Sequence, residues 1–101
     1  MATTSKTLFR GAATTDTTTV LYTVPSATTS VITNIVITNT AGASGDFTLG
    51  LAGTNFATEV TVAANDSTVI DIKQPLIATE TITGGASAIT INFHISGVEI
   101  A

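Results

Sequence analysis

The sequence predicts an all-β fold, a small antiparallel β-sandwich, jelly-roll-like, of about seven or eight strands. Composition points there first. Thr, Ile and Val supply 42 of the 101 residues, 23 of them Thr, and β-branched side chains lose rotamer freedom in a helix but pack well on a pleated surface. Alternation is the second sign, clearest where Ile89, Ile91, Phe93 and Ile95 interleave with Thr90, Asn92, His94 and Ser96, the period of a strand with one dry face. The third is the punctuation. Turn signals at Pro25-Ser26, Ala41 to Gly45, Gly53-Thr54-Asn55, Asn65-Asp66-Ser67, Gln74-Pro75 and Gly84-Gly85 recur mostly about every ten residues, and no segment keeps helical spacing beyond a single turn near Thr54 to Thr58.

Taken in order, residues 1–17 read as an N-terminal arm or edge strand, rich in Thr and Ala around one apolar pair, Leu8-Phe9. Residues 18–101 read as the sandwich domain. Within it Val20, Tyr22 and Val24 alternate with Thr, which leaves Tyr22 half-buried. Val31 to Thr38 is apolar on both faces except at Thr33, Asn34 and Thr38, the pattern of a central strand. Phe47, Leu49 and Leu51 alternate with Asp46, Thr48 and Gly50, and Val60/Val62 and Ile70/Ile72 mark two further strands. Past Ile95 the apolar parity switches to Val98 and Ile100. A β-bulge at Ser96-Gly97 would restore it and keep Glu99 out of the core. Gly84-Gly85 reads as a hairpin turn.

The charges exclude whole classes of function. Only Lys6, Arg10 and Lys73 oppose seven acids, for a net charge of -4, so a run of phosphates cannot be neutralised and no nucleic-acid partner is expected. No apolar stretch approaches the ~20 residues of a bilayer span, and Met1 to Lys6 lacks the apolar core of a signal peptide, so no membrane partner and a cytoplasmic site of synthesis are expected. Without cysteine there is neither a disulfide framework nor a thiolate metal site.

Nothing assembles into an active site, and no enzyme, metal or cofactor is expected. His94 is the single histidine, flanked by Asn92 and Ser96 on a polar face, and a zinc site needs three or four ligands. It reads as an exposed or interface residue. The acids Asp16, Asp46, Glu59, Asp66, Asp71, Glu80 and Glu99 are dispersed over turns and outward positions, with no calcium-type cluster or glycosidase pair. No Gly-x-Ser-x-Gly elbow surrounds a serine. A sugar-binding sandwich would usually offer an aromatic platform, and the chain has no Trp and one Tyr, which weakens a carbohydrate-binding module and leaves it as an alternative. Charged residues are 10% of the chain against a usual ~25%, and edge strands short of Lys and Glu are open to pairing. An oligomer is therefore expected.

The run Leu21-Tyr22-Thr23-Val24-Pro25-Ser26, then Thr28 to Thr40, then Phe47-Thr48-Leu49 after a small-residue turn, resembles small virion accessory β-proteins of tailed bacteriophages. The ending, Ala86-Ser87-Ala88, an alternating strand and Ser96-Gly97-Val98-Glu99-Ile100, is similar to that group as well. The likeness covers most of the chain from about Val20 onward and consists of strands and turns. It implies a structural virion protein, foremost a capsid decoration (cement) protein: a homotrimeric ring on the outer capsid surface that bridges major capsid protein subunits. A tail, neck or head-fibre component is the alternative within the virion. Subunit or capsid contacts are expected from the N-terminal segment at Lys6, Leu8, Phe9 and Arg10, and from His94, with removal of Met1 to Arg10 leaving the sandwich folded.

Overall fold

The computed structural model describes residues 2–101; Met1, part of the expected arm, lies outside them. Nine strands follow one another: β1 (Thr3–Ala12), β2 (Val20–Thr23), β3 (Thr29–Asn39), β4 (Gly45–Leu51), β5 (Thr54–Val62), β6 (Ser67–Ile70), β7 (Gln74–Leu76), β8 (Thr81–Ala86) and β9 (Ile91–Ile100). One sheet runs β1-β9-β3-β6 with β7 also on β3, the other β2-β8-β4-β5, and every pairing is antiparallel. β6 and β7 lie along successive parts of β3, opposite Ile35 to Thr38 and Ser30 to Ile32, so they are one strand interrupted at residues 71–73. Counted so, eight strands form two four-stranded sheets in jelly-roll order, with all-β architecture as the composition predicts.

The core lies between the sheets. Ile32, Ile35 and Ile37 of β3 and Ile91, Phe93 and Ile95 of β9 meet Phe47 and Leu49 of β4 and Ile82 of β8, all fully buried. The Phe47 and Phe93 rings meet edge to face across the two layers, centroids 6.2 Å apart at 75°, a geometry worth about 0.5–1.5 kcal/mol beyond area burial. Asn39 closes one end. Its buried amide donates to the carbonyls of Ala43 (2.8 Å) and Val62 (3.2 Å), and its Oδ1 accepts from the Ala41 N–H (3.0 Å). A side-chain amide thereby satisfies backbone groups that the turn would otherwise bury unpaired.

The parity switch near the end of the chain has a different cause from the expected bulge. β9 itself runs without interruption: Ile91, Phe93, Ile95 and Gly97 point inward and are buried. The irregularities sit in its two neighbours, at Leu8 of β1 opposite the Ile95-Ser96 step and at Thr33 of β3 opposite the Ser96-Gly97 step. Glu99 consequently stands on the inward side and Val98 and Ile100 on the outward one, the reverse of the sequence reading. Gly97 is what permits it. A Cβ there would lie 2.3 Å from the Val31 carbonyl oxygen and 3.0 Å from Leu8 Cδ1.

Other local readings change too. Gly84-Gly85 lies inside β8, not in a hairpin; residues 54–58 belong to β5, not to a helical turn; Gln74-Pro75 opens β7. Gly85 is required there because residues 14–16 pass directly over it, a Cβ meeting the Asp16 carbonyl oxygen at 2.4 Å. Ile89, expected inward, precedes β9 and is 68% exposed. The β4–β5 connection is a two-residue turn, Ala52-Gly53, with φ of 51° and 82°, the left-handed pair of a type I′ hairpin.

Gly97→Ala is expected to destabilise the fold by about 1–3 kcal/mol through backbone overpacking, whereas Gly42→Ala, with open space around its Cβ, stays within about 0.5 kcal/mol of the parent. Urea unfolding of the two variants checks the difference.

Candidate functional site

The outward side of the larger sheet is built from register. One row runs Arg10, His94, Val36 and Val69; the next, wholly polar, joins Thr7, Ser96 and Asn34; then come Ser5, Val98, Val31 and Pro75, and last Thr3, Ile100 and Thr29. Val69 is 61% exposed and Pro75 is exposed, while Val31, Val36, Val98 and Ile100 are partly covered by their neighbours alone. Arg10 is the single formally charged residue in these rows. The result is a face of Val, Ile, Pro, Thr, Ser and Asn with a cation and an imidazole at one side, and no layer of the described residues packs on it.

The five residues expected to make contacts separate. Arg10 and His94 are cross-strand partners on this face. Leu8 does not reach it: the bulge turns it into the domain's own core, buried against Gly97, with Phe9 partly buried beside it. Lys6 is held at the open end of the sandwich. There its Nζ pairs with Glu99 Oε1 at 3.3 Å, the Tyr22 hydroxyl donates to the other Glu99 oxygen, and Tyr22 and the fully buried Ser30 share a hydrogen bond of 2.7 Å. Tyr22 comes from the smaller sheet and the other three from the larger, so these bonds tie the layers together where apolar packing ends.

The same contacts fix the titration of the pair. The Tyr22 hydrogen bond, helped by Lys6 and opposed by partial burial, holds the Glu99 carboxyl below the ordinary carboxylate range. Burial, with the adjacent carboxylate, pushes the Tyr22 hydroxyl upward.

The edges are better defended than the composition suggests. β1, the long exposed edge, carries Lys6, Arg10 and a bulge; the opposite edge is cut into four-residue and three-residue pieces separated by Lys73 and bearing Pro75; β2 is four residues long and β5 is bulged. Short, bulged, charged or proline-bearing edges are the usual barriers to edge pairing.

Sequence reasoning missed this face although two signals announced it. The double-sided apolarity of Val31 to Thr38 is that of a strand with something on both sides, and Val98/Ile100 broke parity because they point outward.

No family model and no curated protein matches the sequence. Among solved structures, a chain of the T13 IBDV viral particle aligns with 97% of this chain and 30% of its own length, at 8% identity and a TM-score of 0.59. A pentameric capsid protein isolated from metagenomic phage sequences aligns over 95% of this chain and 60% of its own, at 16% identity and a TM-score of 0.43. The GH26-CBM35 β-(1,4)-mannanase of Podospora anserina aligns over 95% and 27%, at 13% identity and 0.49. This chain therefore spans less than two thirds of each of them, and the IBDV likeness is one of fold: this sandwich also occurs as a part of a viral particle chain.

Glu99, its pKa lowered by folding, contributes stability that is complete above the ordinary carboxylate range and is lost as pH falls through its folded value; Tyr22, raised by folding, contributes stability that is lost as pH rises through its own. Thermal melts of Glu99→Gln should therefore be flatter than the parent's between about pH 5 and pH 3, and Tyr22→Phe flatter above about pH 10. Deleting residues 1–10 strips most of β1 from β9 and uncovers the core at Leu8, so cooperative urea unfolding monitored by circular dichroism is expected to disappear. This reverses the outcome expected of a detachable arm.

Proposed function

We propose that the protein is a structural component of a virus particle, a capsid decoration (cement) protein that binds the assembled shell from outside and clamps neighbouring major capsid protein subunits. The observation that carries this reading is the unpartnered outward face of the larger sheet, where Val36 and Val69 on one side and Val31, Val98 and Ile100 on the other flank an uncharged polar row of Thr7, Ser96 and Asn34. Interface centres are depleted in Lys, Glu and Asp, and this face has one cation in four rows. The resemblance to virion accessory proteins and the sandwich shared with the IBDV particle chain support the same class. A net charge of -4 suits an outer surface, away from genome phosphates.

The mechanism is thermodynamic. A ligand that binds only the assembled state stabilises it by mass action, and a standard interface buries ~1,600 Å². Repeated over a shell, such clamps oppose the outward pressure of a packed genome. Self-association into a trimer would place three faces around one axis and let a single ring bridge several capsid subunits. A tail, neck or head-fibre position uses the same face with a different partner.

Cryo-electron microscopy of the particle decides between these positions: copies numbered in hundreds over the shell support cement, and one ring or a few fibres removes it. In a binding assay with undecorated shells, Val36→Lys combined with Val98→Lys should keep the parent's melting behaviour and lower affinity by about tenfold or more, since each lysine must be desolvated on docking. Undiminished attachment of this variant would exclude the outward face as the contact.

A further inference from the structure

The other side of the molecule carries a second surface of opposite chemistry. Over the outward face of the smaller sheet lies a cleft of about 460 Å³, within the ~300–1,000 Å³ usual for ligand sites. Its floor is β4, where Asp46 and Thr48 alternate outward. One wall is the segment between β1 and β2, which contributes Thr15 and Thr17; the other is β5, which contributes Asn55, Thr58 and Glu59.

Both walls are fixed in place. The β1–β2 segment is pinned to β8 at two points, Ala86 N–H to the Thr14 carbonyl (2.9 Å) and Gly84 N–H to the Thr19 carbonyl (3.0 Å). Between them Asp16 Oδ1 accepts from the Thr18 N–H (2.9 Å) and hydroxyl (2.6 Å), and the Thr14 and Thr19 hydroxyls bond each other at 2.6 Å. The two Thr18 bonds hold the Asp16 carboxyl below its ordinary pKa. On the other side two residues of β5, Thr58 and Glu59, stand opposite the single Thr48, a bulge of one extra residue. Glu59 has φ of 49°, and its N–H donates to Thr48 Oγ1 at 3.1 Å. The bulge therefore sets two side chains beside the floor where a regular strand would set one.

The inventory of free groups is specific. Thr48 Oγ1 and Ser87 Oγ are occupied by backbone donors. The side chains of Thr15, Thr17, Asp46, Asn55, Thr58 and Glu59 have no hydrogen-bond partner among the described residues. Two carboxylates, one amide and three hydroxyls thus converge on one cleft, with acceptors in excess and donors that can rotate. The carboxylates repel phosphate, sulfate and acidic sugars, and no cation lines the cleft to offset them. An apolar ligand would strand every polar group in the lining. No cluster of three His, Cys, Asp or Glu exists among the described residues to hold a metal ion. What fits is a neutral ligand that offers many hydroxyl donors around a compact ring.

We propose that this cleft is a binding site for a neutral saccharide, with Asp46 and Glu59 accepting from its hydroxyls and Asn55 and Thr58 completing the contacts. The site is independent of the shell-binding face, because it lies on the opposite sheet. With no aromatic ring in the lining there is no stacking contribution, so single-site affinity is weak, with Kd of about 1–10 mM. Many copies on one particle would raise the effective affinity of a glycan-coated surface by about 10²–10⁴.

Titration of the isotope-labelled full chain with the methyl glycosides of glucose, galactose, mannose and N-acetylglucosamine, followed by amide chemical shifts, tests the site without any particle. The expected result is saturable shifts, for at least one glycoside, confined to residues 15–17, 46–48, 55–59 and 86–87. Asp46→Ala combined with Glu59→Ala, whose spectrum should stay otherwise unchanged because neither carboxylate bonds within the chain, should raise that Kd about tenfold or more. Tetramerised protein on a glycan array separates a surface glycan, which binds there, from a free sugar, which gives shifts only; either sustains the saccharide site. No shifts in the cleft at about 50 mM of any of the four, shifts centred elsewhere, or an unchanged Kd in the double variant would overturn it.

Discussion

Three neighbouring strands, β1, β9 and β3, share one inward face only because two of them carry an extra residue beside Ser96 of the third, on its two adjoining steps. Strand side chains alternate with period two, so one inserted residue exchanges the faces of everything beyond it. In β3 the inward set is Ser30 and Ile32 before Thr33, then Ile35, Ile37 and Asn39 after it. Without that insertion Asn34, Val36 and Thr38 would enter the core and two isoleucines would leave it. The matching insertion at Leu8 keeps β1 in phase and turns Leu8 over Gly97. The absent side chain of Gly97 is the vacancy that both adjustments use, and the packing around Phe47 and Phe93 depends on it.

Much of this architecture is legible in the residues. Threonine, valine and isoleucine in alternation, with turn residues at regular spacing, specify a two-layer antiparallel fold, and the inward faces of β4 and the middle of β9 read directly from Phe47/Leu49 and Ile91/Phe93/Ile95. What misleads is any inference that a parity break must lie in the strand that shows it. Val98 and Ile100 break alternation because they face outward, while the real bulges lie more than sixty residues away in sequence from Ser96-Gly97, at Leu8 and Thr33, with no glycine or proline at or next to either position to mark them. Gly84 and Gly85 mislead in the opposite way: they look like a turn but are small because Leu49 and the Asp16 carbonyl press on them. Both errors concern contacts between segments remote in sequence, where local pattern carries no signal.

The candidate surfaces were less legible than the core, for a related reason. Arg10 and His94 become neighbours only through the β1–β9 register, and Leu8 and Phe9, conspicuous as an apolar pair in a polar segment, prove to be core residues of an edge strand. The cleft on the smaller sheet draws on four separate segments, and the feature that shapes it, the left-handed Glu59, has no glycine to announce it. The scarcity of charge acquires a sharper meaning from the fold. The few charged groups lie at edges, in turns, at the Lys6–Glu99–Tyr22 end and, as Asp46 and Glu59, in the cleft, so one broad face is nearly neutral and the other carries carboxylate and hydroxyl.

The placement of β9 has a consequence for how the chain is made. It is the last strand in sequence, yet it lies between the first and the third, and residues 2 and 101 close the ladder with reciprocal backbone bonds of 2.7 and 2.9 Å. Until residue 91 and its successors have left the ribosome, β1 and β3 have no partner to join them and the larger sheet has a gap at its centre. Partial chains cannot bank stability strand by strand. Assembly of the larger sheet is a long-range event that waits for residues 91–100, which is the slow regime for chains dominated by distant pairings, and it couples that sheet's integrity to the arrival of a single ten-residue segment.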